Sequence, residues 1–195
     1  MKGQQQIVSA VLLTGILVTI VGSVYLWGIP LIEKNKAVNT LHNAEDFMER
    51  LNNKIKFIAN NGGQDTITFN LPGTIVFDST KDPKTIYVVL RTKGSIYSSG
   101  GKIPLSRNIT KNTGNWVSTD PESIYVMSNK TSEDNYINTY GLFFRSLKKR
   151  NGDKYLINLT GSTTSAGTDH DIVIENRGSE RNGKTISTAI YINIL

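Results

Sequence analysis

A chain of 195 residues has room for one globular domain and an additional segment, and 22 basic against 16 acidic residues leave a formal charge of +6. It contains no cysteine, which excludes disulfide frameworks, thiolate metal sites, iron–sulfur clusters and thiol nucleophiles. Charged residues are 19% of the chain while Asn, Ser, Thr and Gly exceed a third, a balance suited to turn-rich β-structure; the basic surplus reads as thinly spread, with no call for nucleic acid.

The first element is apolar. No residue from Gly3 to Ile32 is charged, and the 23 residues Ile7 to Ile29 are mostly Val, Ile and Leu. As a helix they rise roughly 34 Å, enough to cross a hydrocarbon layer of about 30 Å. Tyr25 and Trp27 suit the headgroup boundary, and Gly28-Ile29-Pro30 is expected to kink or end the helix there. A cleavable secretory signal has an apolar core of about 7 to 15 residues followed by small residues, whereas this core is longer and continues into Tyr25-Leu26-Trp27. A buried core helix would need an apolar enclosure that the remaining sequence does not offer. Gly15, Thr19 and Ser23 recur at four-residue spacing beside Ala10 and Thr14, a small-residue row that lets helix backbones approach closely. Lys2 on one side and Lys34 and Lys36 with Glu33 on the other leave the orientation open.

Next, Ala37, Leu41, Ala44, Met48, Leu51, Ile55 and Ile58 alternate steps of four and three, which predicts a helix from about Leu31 to Asn60 that buries one side. Glu45, Glu49, Asn52 and Lys56 are expected to cover the other faces. A helix packed on its own domain is the simplest reading; a short coiled coil is the alternative. Asn60-Asn61-Gly62-Gly63 supplies a left-handed stop.

From Gln64 the period changes to two. Strands are expected at Thr66–Leu71, Thr74–Asp78, Thr85–Thr92, Ser95–Ser98, Ile124–Ser128, Lys154–Thr160, Asp171–Glu175 and Thr185–Leu195, with Tyr140–Leu147 either strand or short helix. Closely spaced strands without intervening helices predict an antiparallel sandwich-like head.

Three patterns invite chemistry. Gly178 to Thr185 (GSERNGKT) fits the phosphate-loop spacing, but the β-branched alternating residues that follow predict a polar hairpin loop between the last two strands instead. Asp169-His170-Asp171 reads as a turn entering a strand, since alternate strand residues point to opposite faces and His42 lies on the helix. Arg145 to Lys154 (RSLKKRNGDK) is the most basic run, read as a solvated turn with an anionic-surface patch as the alternative. Asn108, Asn129 and Asn158 head N-glycosylation acceptor triplets, about as many as chance places in this composition.

The amino terminus, Met1-Lys2-Gly3-Gln4 followed by Gln5-Gln6-Ile7 and the uninterrupted apolar run through Trp27, resembles the class III signal of archaeal type IV pilin-like proteins, the group of adhesion pilins and archaellins. The resemblance implies a leader of residues 1–3, cut by a prepilin peptidase between Gly3 and Gln4. It further implies a filament-core helix at 4–32, an amphipathic helix at 33–61 and an extracellular sandwich-like head at 62–195. The expected function is a non-enzymatic filament subunit without cofactor, partnered by copies of itself or related subunits. It would lie in the cell membrane before assembly and at the cell surface afterwards. The alternative is a bitopic protein, such as an archaellum accessory protein, that keeps its anchor and binds a partner through the head.

Overall fold

The computed structural model describes residues 2–106, 113–116 and 120–195, residues 2–6 by their backbone alone. One helix, α1 (Lys2–Asn61, 60 residues), leads into twelve strands: β1 (Gln64–Phe69), β2 (Gly73–Asp78), β3 (Thr85–Lys93), β4 (Lys102–Pro104), β5 (Thr113–Asn115), β6 (Glu122–Lys130), β7 (Asn135–Phe144), β8 (Ser146–Lys148), β9 (Lys154–Thr160), β10 (Thr164–Ala166), β11 (His170–Asn182) and β12 (Thr185–Ile194). They form two six-stranded sheets, β1-β11-β12-β9-β8-β5 and β10-β2-β3-β7-β6-β4. The second sheet is antiparallel throughout; the first is mixed, because β9 runs parallel to β12 and β5 parallel to β8. The expected architecture of a long amino-terminal helix followed by a β-rich, sandwich-like head is thus the observed one.

The helix differs from its expectation at Pro30, which lies inside continuous α1 rather than at its end. Proline removes one backbone donor and crowds the carbonyl four residues earlier, here that of Leu26, at a cost of about 3 kcal/mol in a helix interior. The flanking helical turns on both sides override that local preference. Every residue of the predicted stripe from Ala37 to Ile58 is buried, joined by Phe47 and Ala59. Asn52, expected on an outer face, is instead only 3% exposed, because two sheets press on the helix and cover a wider arc than a two-position stripe.

α1 packs on β1, β11 and β12 of one sheet and β3 and β7 of the other, so its second half lies within the head's core. Facing residues such as Val88, Tyr140 and Val126 align across β3, β7 and β6 and point inward. Burying one such Val side chain contributes about 1.5–3 kcal/mol. On the outer face of that sheet Gly141 sits between Tyr87 and Tyr125, and a Cβ there would lie 2.5 Å from the Tyr125 ring. The helix end is closed by Asn176 of β11, whose amide nitrogen donates to the Ile58 carbonyl at 2.8 Å, and by Gly62 at φ 78°. Lys54 donates to the Thr66 carbonyl at 3.0 Å and pairs with Asp65 at 2.6 Å, covering part of the free edge of β1.

Ser95–Ser98 is not a strand. Ser95 donates to Asn138 Oδ1 at 3.0 Å and accepts from Ser128 at 2.9 Å and from the Tyr97 amide at 3.1 Å. Those bonds hold the segment as a loop over β6 and β7. Tyr140 to Leu147 resolves as strand, the end of β7 turning into β8.

Candidate functional site

The feature that most sets this chain apart is a helix with two opposite halves. None of the 26 residues from Ile7 to Ile32 is buried, and their large apolar side chains range from 45% exposed at Ile29 to 83% at Leu26. Among the described residues α1 is the one helix long and apolar enough to cross a membrane, with an 18-residue window of mean hydropathy 2.4. From Leu41 to Ile58 the stripe residues of the same helix are at most 2% exposed.

Three hydroxyls of the uncovered half are satisfied inside the helix itself. Thr14, Thr19 and Ser23 hydroxyls donate to the carbonyls of Ala10, Gly15 and Thr19, each at 2.8 Å. A hydroxyl bonded four residues back leaves no unpaired donor toward lipid or a neighbouring helix. The structure thus places Gly15, Thr19 and Ser23 on one line of the helix, with nothing within 4 Å of a Cβ built at Gly15. Gly3 and Gln4 lie in the first turns of α1.

Where the apolar half meets the head, Glu33 and Lys93 form an ion pair at 2.8 Å. Beside it a groove of about 680 Å³ runs between the helix and the loops after β3 and β6, floored by Pro30, Ala37, Val38 and Ile96. Exposed pairs of this kind contribute about 0–1 kcal/mol, so the contact orients the junction more than it stabilises it.

The remaining sequence patterns have plain structural positions. GSERNGKT runs strand, turn, strand: residues through Asn182 belong to β11, and Gly183-Lys184 alone form the loop, Gly183 taking φ 58° as the first position of a II′-type hairpin requires. With no helix after it, the segment lacks the aligned amides that cradle phosphate. Asp169 holds φ 62° in the turn entering β11; His170 Nδ1 lies 2.6 Å from the Leu195 backbone oxygen, and Asp171 accepts from the Thr68 hydroxyl at 2.6 Å. No group of three or more His, Asp or Glu with metal-binding geometry occurs among the described residues.

Of the acceptor asparagines, Asn129 is exposed near the end of β6, and Asn158 is half-buried in β9 with its Thr160 hydroxyl bonded to the Ile190 carbonyl; Asn108 lies outside the described residues. The basic run divides. Arg145 is 4% exposed and donates through Nε to the Asp120 carbonyl at 2.9 Å, whereas Lys148, Lys149 and Arg150 project from the β8–β9 turn.

A buried polar cluster ties helix to head and carries no sequence signature. The Tyr140 hydroxyl, wholly buried, donates to the Leu41 carbonyl at 3.0 Å, and the Tyr97 hydroxyl, 3.0 Å away, donates to Glu45 at 2.5 Å. Burial raises both phenols above the ordinary tyrosine range, with the Glu45 carboxylate acting in the same direction.

No family model, curated protein or solved structure matches this chain.

Proposed function

We propose that the chain is the structural subunit of an archaeal type IV pilus-like surface filament, held by its apolar half-helix in the cell membrane until assembly and carrying the β-head outside. The observation that carries the reading is the contrast within α1: one half sealed into the head, and 26 residues of the other left uncovered. Covering them is the largest unmet demand of the molecule. Lipid meets that demand before assembly; neighbouring copies of the same helix meet it afterwards.

In this mechanism a prepilin peptidase cuts between Gly3 and Gln4, and the freed helices leave the bilayer and bundle. Gly15, Thr19 and Ser23 present backbone rather than bulk, so that helices approach closely without stranding a hydroxyl. The chemistry is association, with no cofactor and no bond made after the cut.

Amino-terminal sequencing and electron microscopy of material sheared from cells test it. A mature start at Gln4 in detergent-resistant filaments is the expected result. Leu13→Asp, which puts a charge inside the apolar span, is expected to abolish them. A detergent-soluble monomer or dimer retaining residues 1–3 would replace the filament with a membrane-anchored binding domain.

A further inference from the structure

Two basic runs far apart in the sequence meet at one end of the head. Lys148, Lys149, Arg150 and Lys154 flank the β8–β9 turn, all exposed. Arg177, Arg181 and Lys184 belong to the β11–β12 hairpin and are exposed as well. The Lys154 amide donates to the Lys184 carbonyl at 2.7 Å, and the Arg181 guanidinium stands 3.8 Å from the Asp153 carboxylate. Lys184 Nζ lies 3.6 Å from where a side chain at Gly152 would begin. Over residues 148–154 and 175–184 seven cations face three acids, so +4 of the chain's +6 stands here. The surplus that looks diffuse along the sequence is gathered by folding. Two of the three acids, Asp153 and Glu175, pair with Arg181 and Arg177 within the cluster.

This end is remote from the apolar segment. Asn176 on the same hairpin caps the last carbonyls of α1, while the Glu33–Lys93 pair marks the opposite end of the head. The helix between Ile32 and Ile58 spans about 39 Å. Charges interact over roughly 8 Å at physiological salt, so the membrane that takes the apolar helix exerts no pull on this tip. Its counterpart comes from the surroundings.

The side chains narrow the class. Exposed Asn182 stands among the cations and suits the hydroxyls of a sugar, while Asn151 is bonded to Asp153 and Ser179 to Thr188. The neighbouring aromatics are engaged, Trp116 packing on Tyr155 at 5.4 Å and beneath Lys149 at 5.9 Å and the Tyr191 ring lying 3.6 Å under Arg177, so the described residues present no open ring platform of the kind that stacks single-stranded bases. We infer that this basic tip is a docking surface for an acidic polysaccharide, carboxylated or sulfated. The inference rests on the proposed function in one respect: the apolar helix must hold the chain so that the tip points outward.

The test titrates the full chain in detergent micelles against polygalacturonate, dextran sulfate, uncharged dextran and single-stranded DNA. Acidic polysaccharide is expected to bind with an affinity that falls with salt, and uncharged dextran to leave the protein free; whether polygalacturonate or dextran sulfate binds tighter identifies the preferred group. Replacing Lys148, Lys149, Arg150, Arg181 and Lys184 together by Gln is expected to weaken binding by at least roughly tenfold. Replacing five exposed cations elsewhere, Lys34, Lys36, Arg50, Arg91 and Lys130, removes the same net charge and is expected to change it less than roughly twofold. Circular dichroism confirms that both variants are folded. Binding of neither acidic polymer, equal losses in the two variants, or tighter binding of the DNA overturns the inference. Filaments are scored separately by microscopy: a chain that docks the polymer but never polymerises overturns only the filament reading, and filaments that ignore both polymers overturn only this one.

Discussion

Tyr140 couples the helix to the second sheet through a single proton, donated to a backbone carbonyl of α1, and Tyr97 closes the cluster from the loop after β3. Burial holds both phenols neutral above their ordinary value of 10.0. An unfolded chain releases these protons near pH 10 and the folded chain does not. The folded state therefore binds more protons above that point, and the stability the pair contributes, complete below about pH 10, drains away as the pH rises. Alkaline unfolding in micelles, followed by circular dichroism, is expected to steepen above about pH 10 in the native chain and less so in Tyr140→Phe. At neutral pH the same substitution removes one hydrogen bond, while the Leu41 carbonyl keeps its bond within the helix, and is expected to cost about 0.5–1.5 kcal/mol. A flat profile across the alkaline range, or a variant with the native slope, contradicts the assignment. The cluster is not legible in the sequence, since Leu41 and Glu45 lie one turn apart on α1 but Tyr97 and Tyr140 join them only when three segments fold together.

One helix answering to two solvents sets the logic at the level of elements. Leu51 is wholly buried in the head's core, and Leu17 is 54% exposed on the apolar half. Leu51→Ala is expected to lower the unfolding free energy of the head by about 2–5 kcal/mol, whereas Leu17→Ala is expected to leave it within about 0.5 kcal/mol; thermal unfolding in micelles separates the two. Both halves of α1 are readable in the sequence because period and hydropathy are local properties. Its continuity through Pro30 is not, because a local stop signal loses to the turns on either side. Strand existence reads well for the longer segments for the same reason: Lys154–Thr160 coincides with β9 and five others shift by a residue or two, whereas β7 begins five residues before Tyr140, β11 runs seven past Glu175, and the short β4, β5 and β10 are not foreseen. Strand order does not. The parallel pairing of β9 with β12 joins segments separated by two other strands, and nothing within either segment specifies its neighbour. Ser95–Ser98 misleads because the Ser95 hydroxyl, which a strand would point into solvent, is instead bonded to Asn138 and Ser128.

At the scale of the whole molecule the division falls not where helix gives way to strand but inside the helix. The head's core cluster begins at Leu41 and draws on α1 and both sheets as one body, while nothing before Glu33 contributes to it. Two truncations follow with opposite outcomes. A chain beginning at Glu33 keeps every buried apolar side chain and loses only the uncovered segment, so it is expected to be soluble without detergent and to unfold in one cooperative step. A chain beginning at Gln64 keeps all twelve strands but exposes the sheet faces that Phe47, Met48, Leu51 and Ile55 fill. Each of those side chains accounts for about 1.5–3 kcal/mol of burial, and together they match the entire stability of a domain, about 5–15 kcal/mol. It is therefore expected to aggregate or remain unfolded. Gel filtration and calorimetry decide between them: a folded chain from Gln64 would mean that the whole helix is an appendage to the head, and an insoluble one from Glu33 that the apolar half belongs to the head's body.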